Sequence, residues 1–276
     1  MDHLQFVFDK VEKERKEILI ALLNDIGFEG FEEENDDLKA FIKAADFNQE
    51  SFDNIIENTQ VIYSKSNIKE TNWNEKWESG FEPVIVNHPT SQQPFAVVRA
   101  GFHEPVKDVL YDLVVTPKMS FGTGHHATTF LMIQQMSLLD FNDKTVVDFG
   151  TGTGVLAILA EKLGASNITA IDNDDWSINN ARENIEANAC SKIKLVKAGT
   201  IETGSKANII LANINLNIII ANLDAIKEAC LPGATILFSG IMTRDEELII
   251  AALKENNFTI FSSFNRDNWL ILVTKR

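Results

Sequence analysis

Residues 146–154 read Val-Val-Asp-Phe-Gly-Thr-Gly-Thr-Gly, an apolar run that ends in an acid and opens into a glycine-rich turn. About one helix and one strand later, Ile168-Thr-Ala-Ile-Asp172 forms a second apolar run that also ends in an acid. A strand, a glycine turn, a helix and a second strand with a terminal acid make a nucleoside-binding half-site. The glycines let a ligand lie against bare backbone, where a Cβ would collide with it. Asp172 stands where a ribose diol needs a bidentate acceptor.

The spacing separates this turn from its relatives. Gly150, Gly152 and Gly154 follow G-x-G-x-G, not the dinucleotide pattern G-x-G-x-x-G, and no Lys-Ser/Thr follows as in a P-loop. No Lys or Arg lies between Thr145 and Glu161 to offset phosphate charge. Asp148, at the strand end, would repel a pyrophosphate but suits a cation. S-adenosylmethionine carries a sulfonium, an ammonium and no phosphate, and is the cofactor expected here. A tight strand-to-helix turn without ligand is the plain alternative; the acid at the next strand end argues against it. The glycine spacing also disfavours an NAD-dependent oxidoreductase.

Outward from this turn, helices and strands alternate. The pattern predicts helix 128–139, strand 145–149, helix 154–163, strand 168–172, helix 175–188, strands 193–198 and 208–212, helix 216–230, strand 234–239 and helix 244–256. Strands 258–264 and 268–274, joined by an Asn-Arg-Asp-Asn turn, close the chain as an antiparallel hairpin at a sheet edge. Such alternation implies a mostly parallel Rossmann-like α/β sheet wrapped by helices on both faces. Three short strands precede it, around Pro83–Val86, Phe95–Arg99 and Leu113–Thr116.

The N-terminal part reads differently. Strand Gln5–Phe8, helix Val11–Ile26, a hairpin of Phe28–Glu33 and Leu38–Ile42, helix Ser51–Asn58 and strand Gln60–Tyr63 suggest a small α+β, ferredoxin-like sandwich. Asn72–Gly80 reads as a connecting helix with Trp73 and Trp77 on one face. The expected division is a recognition domain over 1–66, a linker helix over 67–82 and a catalytic domain over 83–276.

A length of 276 residues accommodates two domains, and 45% hydrophobic with 24% charged residues is ordinary for a globular protein. The net charge of −15 argues against a protein that lives on nucleic acid and favours a basic partner. Acids at Glu29, Glu32, Glu33, Glu34, Asp36 and Asp37 make a solvated loop that could meet such a partner. Cys190 and Cys230 form neither a disulfide framework nor a metal cluster. The N-terminus lacks the pattern of a secretion signal, and no apolar stretch approaches the ~20 residues of a membrane span. A cytoplasmic monomer is expected.

Two further stretches carry chemistry. Met119–Thr129, Met-Ser-Phe-Gly-Thr-Gly-His-His-Ala-Thr-Thr, is a polar loop with Thr128 and Thr129 ready to cap the next helix, and it suits a lid over the cofactor. His125 and His126 are adjacent and lack local Cys, Asp or Glu, so no metal is expected. Ile209–Ile214 is a buried strand that stops at Asn213. Asn213 can cap helix 216–230 or accept from an attacking amine off the carboxyl end of the sheet. Asn215 and Asn217 are better placed as caps, which frees Asn213 for the site.

The combination resembles the ribosomal protein L11 methyltransferases of the PrmA type. The likeness runs from Trp73 to the C-terminus through Trp73–Trp77, Phe102-His-Glu-Pro105, Phe121–Thr129, Val147–Leu156, Gly164–Asp172 and Ala212-Asn-Ile214. The Phe121-Gly122-Thr123-Gly124 loop ahead of the Asp148-Phe-Gly turn is its specific mark. His125, Ala127 and Thr151 depart from the residues common in that family, which are Thr, Pro and Cys. The resemblance implies a class I methyltransferase with Thr129, Gly150, Asp172 and Asn213 at the cofactor. Asp148, Gly152, Gly154 and the loop residues Phe121, Gly122 and Thr123 join them as candidates, and Asn213 also positions the amine. It implies a basic ribosomal protein as substrate, methylated on lysine side chains or its N-terminus and recognised by the N-terminal sandwich. The alternatives are transfer to a glutamine amide or a small molecule, or a cofactor-binding module without turnover. Ile214-Asn215-Leu216 after Asn213, in place of prolines, counts against the glutamine version.

Overall fold

The computed structural model describes residues 3–11, 13–34, 37–68, 81–116 and 122–276, and the chain divides into two compact units, Met1–Gly80 and Phe81–Arg276. The expected linker helix with Trp73 and Trp77 lies outside the described residues.

The first unit contains β1 (His3–Phe8), α1 (Lys13–Asp25), β2 (Gly30–Glu34), β3 (Asp37–Lys43), α2 (Gln49–Thr59) and β4 (Tyr63–Ile68). Its sheet has the order β2-β3-β1-β4 with every pair antiparallel, which is the split βαβ arrangement of a ferredoxin-like sandwich. Alternation puts Leu4, Phe6 and Phe8 of β1 and Leu38, Ala40 and Ile42 of β3 on the buried face. Aromatic rings fill that face, with Phe6 and Phe52 at 4.5 Å between centroids. The last strand begins at Tyr63, not Gln60. Gln60 ends α2 at φ 52° and donates its N–H to the Ile56 carbonyl, so the chain turns before it extends. β4 is also an edge strand, and its Ser64-Lys65-Ser66-Asn67 carries no apolar alternation to mark it.

In the second unit, β5 (Val84–Asn87), β6 (Pro94–Arg99) and β7 (Tyr111–Val114) form a small mixed sheet. After α3 (Ala127–Met136) come β8 (Thr145–Phe149), α4 (Val155–Lys162), β9 (Asn167–Asp172), α5 (Asp175–Ala187), β10 (Ile193–Lys197) and β11 (Ala207–Asn213). The chain ends with α6 (Leu216–Ala221), α7 (Leu223–Ala229), β12 (Cys230–Met242), α8 (Glu246–Glu255), β13 (Thr259–Arg266) and β14 (Trp269–Lys275).

The large sheet has the order β10-β9-β8-β11-β12-β14-β13. Its pairs are parallel from β10 to β12, and β14 runs antiparallel to both its neighbours. Val146 and Leu211 belong to the core on one face of this sheet, Val147 and Ile210 to the core on the other. The order reverses between β8 and β11, and at such a switch point a crevice opens beyond the carboxyl ends.

The expected helix 216–230 is interrupted. The Asn222 side-chain amide donates to the Ile218 carbonyl, and the residue leaves helical geometry at φ −111°, ψ 8°. The closing hairpin turns through Asp267 and Asn268 alone, both at positive φ (50° and 65°), as a two-residue turn that matches strand twist requires.

Candidate active site

β8 carries Asp148 to the carboxyl edge of the sheet, and the chain then turns through Gly150, Gly152 and Gly154 at φ 78°, 53° and 79°. The N–H groups of Gly150 and Thr151 both donate to the Ile171 carbonyl, at 2.8 and 2.9 Å, which pins the turn to β9. At Gly150 more than φ is at stake, because a Cβ there would run into the Ile214 side chain. Gly154 ends the turn against Ala181 and starts α4.

The turn borders a cavity of about 310 Å³, within the range of small-ligand sites. Four of the expected residues line it: Gly150, Gly152, Asp172 and Asn213. Asp172 accepts the Gly152 N–H on Oδ2 at 2.9 Å and the Asp174 N–H on Oδ1 at 3.1 Å. Each oxygen keeps lone-pair capacity for a diol.

Asn213 ends β11 and is 7% exposed. Its Nδ2 donates to Thr129 Oγ1 at 3.4 Å, while its Oδ1 is buried without a partner. Asn215 is the cap of α6, accepting the Ile218 N–H at 3.1 Å, so cap and site fall to different residues. A buried amide oxygen left unpaired on a cavity wall is an acceptor awaiting a donor.

The other expected residues stand behind this wall. Thr129 is fully buried on α3 and reaches the cavity only through the Asn213 amide. Gly122 packs behind the turn, its carbonyl accepting from Thr153 Oγ1 at 2.8 Å. Thr123 is half-buried off the wall, and Phe121 lies outside the described residues. Asp148 sits wholly buried beneath the turn, with Oδ2 accepting from the Thr151 hydroxyl at 2.6 Å and Oδ1 unpartnered. Burial pushes its carboxyl up to about 7 against the pull of the Thr151 bond, and the Asp172 charge adds to the rise.

The cap expected from Thr128 or Thr129 comes instead from His126, because α3 starts at Ala127. His126 Nδ1 lies 2.8 Å from the Thr128 hydroxyl and takes the Thr128 N–H at 3.4 Å. Burial lowers the pKa of His126, which favours the neutral ring that can accept. His126 meets Trp269 edge-on, whereas His125 meets Phe81. Among the described residues no group of three or more His, Cys, Asp or Glu converges on a metal position.

Eight lining residues were not anticipated. Ala198 and Gly199 follow the end of β10, where the rule of carboxyl-end ligands points. Asn173 and Ser177 follow Asp172 into α5. Phe149, Ile214 and Ile218 give apolar wall, and Asn215 adds a polar edge; these read in sequence as ordinary core and cap. Among the described residues, no Lys or Arg lines the cavity. A carboxylate, amides, a hydroxyl and apolar wall, without a cation, fit a positively charged nucleoside that has no phosphate.

A parallel sheet whose strand order reverses at its centre, closed by an antiparallel hairpin, is the architecture of class I S-adenosylmethionine-dependent methyltransferases, and this chain is one of them. The profile of the family described as "Ribosomal protein L11 methyltransferase (PrmA)" matches residues 7–276. The chain belongs to that family. It is 35% identical to a ribosomal protein L11 methyltransferase of Chlorobaculum tepidum, over 98% of this chain and 95% of that one. A relative of the same description from Porphyromonas gingivalis is also 35% identical, over 93% and 89%. The crystal structure of a ribosomal protein L11 methylase from Lactobacillus delbrueckii subsp. bulgaricus superposes with a TM-score of 0.61 at 29% identity, covering 70% of this chain and 98% of that one.

Proposed function

We propose that this enzyme methylates amino groups of ribosomal protein L11, on lysine side chains, the N-terminus or both. The observation that carries the reading is the buried, unpartnered Oδ1 of Asn213 on the cavity wall. An amine that donates one N–H to this oxygen has its lone pair turned in a fixed direction. Such orientation contributes up to roughly 7–11 kcal/mol in well-aligned systems. Bound S-adenosylmethionine supplies a methyl group already activated on sulfur. Asp172 holds the ribose hydroxyls, and the Gly150–Gly154 turn gives backbone contacts to the amino-acid part.

A lysine amine must be neutral to attack, and its reference pKa is about 10.4. The apolar wall of Phe149, Ile214 and Ile218 disfavours the charged form. Among the described residues no side chain on the wall is disposed as a dedicated base, and the proton leaves to water before the amine docks.

Residues 1–80 hold 19 acidic and 9 basic side chains, a net of −10 out of the chain's −15. That field suits recognition of a basic ribosomal protein by the first unit, with no direct contact to nucleic acid. No helix among the described residues is long and apolar enough to cross a membrane. The enzyme acts as a cytoplasmic monomer.

Mass spectrometry of L11 from cells with and without this chain tests the proposal. A loss in multiples of one methyl, confined to L11, is expected. Unchanged L11 with label entering a glutamine amide or a small molecule would overturn the substrate. Cofactor binding without any turnover would leave a non-catalytic module.

A further inference from the structure

Asn213 is followed by Ile214, and Ile214 is gripped from two sides. On one side Gly150 makes room for its side chain. On the other its backbone lies flush on β12, where the register shifts between Ser239 and Ile241 and Gly240 adopts φ 83°. The Ile214 N–H donates to the Ser239 carbonyl at 3.2 Å. A Cβ at position 240 would stand 2.7 Å from the Ile214 carbonyl carbon and 3.0 Å from its nitrogen, and would collide with its oxygen. All three are backbone atoms, which cannot swing aside as a flexible side chain does.

We infer that Gly240 is a positioning residue for methyl transfer: its bare Cα sets the Asn213–Ile214 backbone and thereby the direction of the Asn213 amide. Gly240 does not line the cavity. Among the described residues the Asn213 side chain has one weak hydrogen bond, the 3.4 Å bond to Thr129, so its aim depends on the main chain beneath it. Displacing a reacting group by about 1 Å costs on the order of 100-fold in rate. This inference rests on the reading of Asn213 as the amine acceptor.

The test compares Gly240→Ala with Gly233→Ala. Gly233 lies in the same strand at φ 76°, where an added Cβ meets nothing within 4 Å. Both substitutions carry the backbone strain of a side chain at positive φ, and only the first presses on Ile214. Gly240→Ala is expected to lower kcat on L11 about 100-fold while the calorimetric Kd for S-adenosylhomocysteine stays within about threefold. Gly233→Ala is expected to lose similar thermal stability and keep its kcat. The ¹⁵N side-chain amide resonances of Asn213 should move in the first variant and not in the second. Equal kcat in the two variants, or cofactor affinity lost in step with kcat, overturns the inference. Unmoved Asn213 resonances overturn it whatever the methyl acceptor proves to be, whereas a wild-type enzyme inactive on L11 refutes only the substrate. Should Gly240→Ala fail to fold, Ile214→Ala empties the slot beside Gly150; unchanged kcat and unmoved Asn213 resonances there refute the grip.

Discussion

Thr151 donates its hydroxyl to Asp148 Oδ2 at 2.6 Å, and the other oxygen of that buried carboxylate has no partner. Full burial outweighs the pull of the Thr151 hydroxyl and the Ala157 N–H, and the carboxyl is pushed from 3.8 up to about 7. Between about pH 4 and about pH 7 the unfolded chain has released this proton and the folded chain has kept it. The native state then binds more protons, so its stability falls as pH rises through this window and levels off above it. Asp148→Asn is neutral at every pH and escapes the penalty, which is of the order of a few kcal/mol. Melting of the cofactor-free protein should show the variant more stable than wild type near pH 8 and equal to it near pH 4. Parallel curves across the window would refute the buried-charge account.

Asp172 ties the glycine turn to the end of β9 through the Gly152 N–H and offers its remaining lone pairs to the cavity. Hydrogen bonds from hydroxyls to a carboxylate contribute about 1.5–3 kcal/mol each. Asp172→Ala should weaken S-adenosylhomocysteine binding by roughly 100-fold or more, read by titration calorimetry. Affinity within a few-fold of wild type would remove Asp172 from the ribose site.

Asn213 predicts the opposite split. Removing its amide deletes the acceptor that orients the amine and leaves Asp172 and the glycine turn in place. Asn213→Ala should lower kcat by about 100- to 1,000-fold, as loss of an oriented polar contact at a reacting centre does, with cofactor Kd changed only a few-fold. A variant that keeps its kcat would show that the amine is oriented elsewhere.

The centre of the large sheet was legible because β8, β9 and β11 are predominantly apolar strands that end in Asp148-Phe149, Asp172 and Asn213. A strand buried on both faces and ended by one polar residue leaves little room for another reading. The interruption at Asn222 was hidden, since a side chain bonding its own helix backbone leaves the 3.6 period intact. The shift of β4 was hidden by its polar edge residues, and the cap on α3 because histidine is uncommon in that role. In the site, the side chains with distinctive chemistry stood out, whereas Ile214, Ile218 and Ala198 line the cavity by three-dimensional proximity alone. Gly240 is the extreme case, since its partner is a backbone 26 residues away.

His126 caps α3 and stands three residues before Thr129, the partner of Asn213. Loss of a helix cap costs about 1 kcal/mol. His126→Ala should lower Tm accordingly, and Asn, a strong capping residue, should restore it. The folded pKa of His126 is lowered, so the native state resists the proton that the unfolded chain accepts. Its contribution is therefore present above the unfolded value of about 6.5 and is lost as pH falls below it. The Tm gap between wild type and His126→Ala should narrow on acidification; a gap that widens would refute capping by the neutral ring.

The charge of the first unit bears on substrate capture. With a net of −10 over residues 1–80, attraction of a basic protein acts over distances comparable to the Debye length, about 10 Å at 0.1 M salt. Chemistry in the cavity is shielded from that screening by burial. Raising salt from about 50 to about 300 mM should therefore raise KM for L11 several-fold and leave kcat nearly constant. Glu32→Gln, an exposed change on β2, should raise KM at low salt and flatten the slope. A salt effect carried by kcat, or a KM indifferent to salt, would mean that the acidic unit meets its substrate through shape and apolar contact, its charge serving solubility alone.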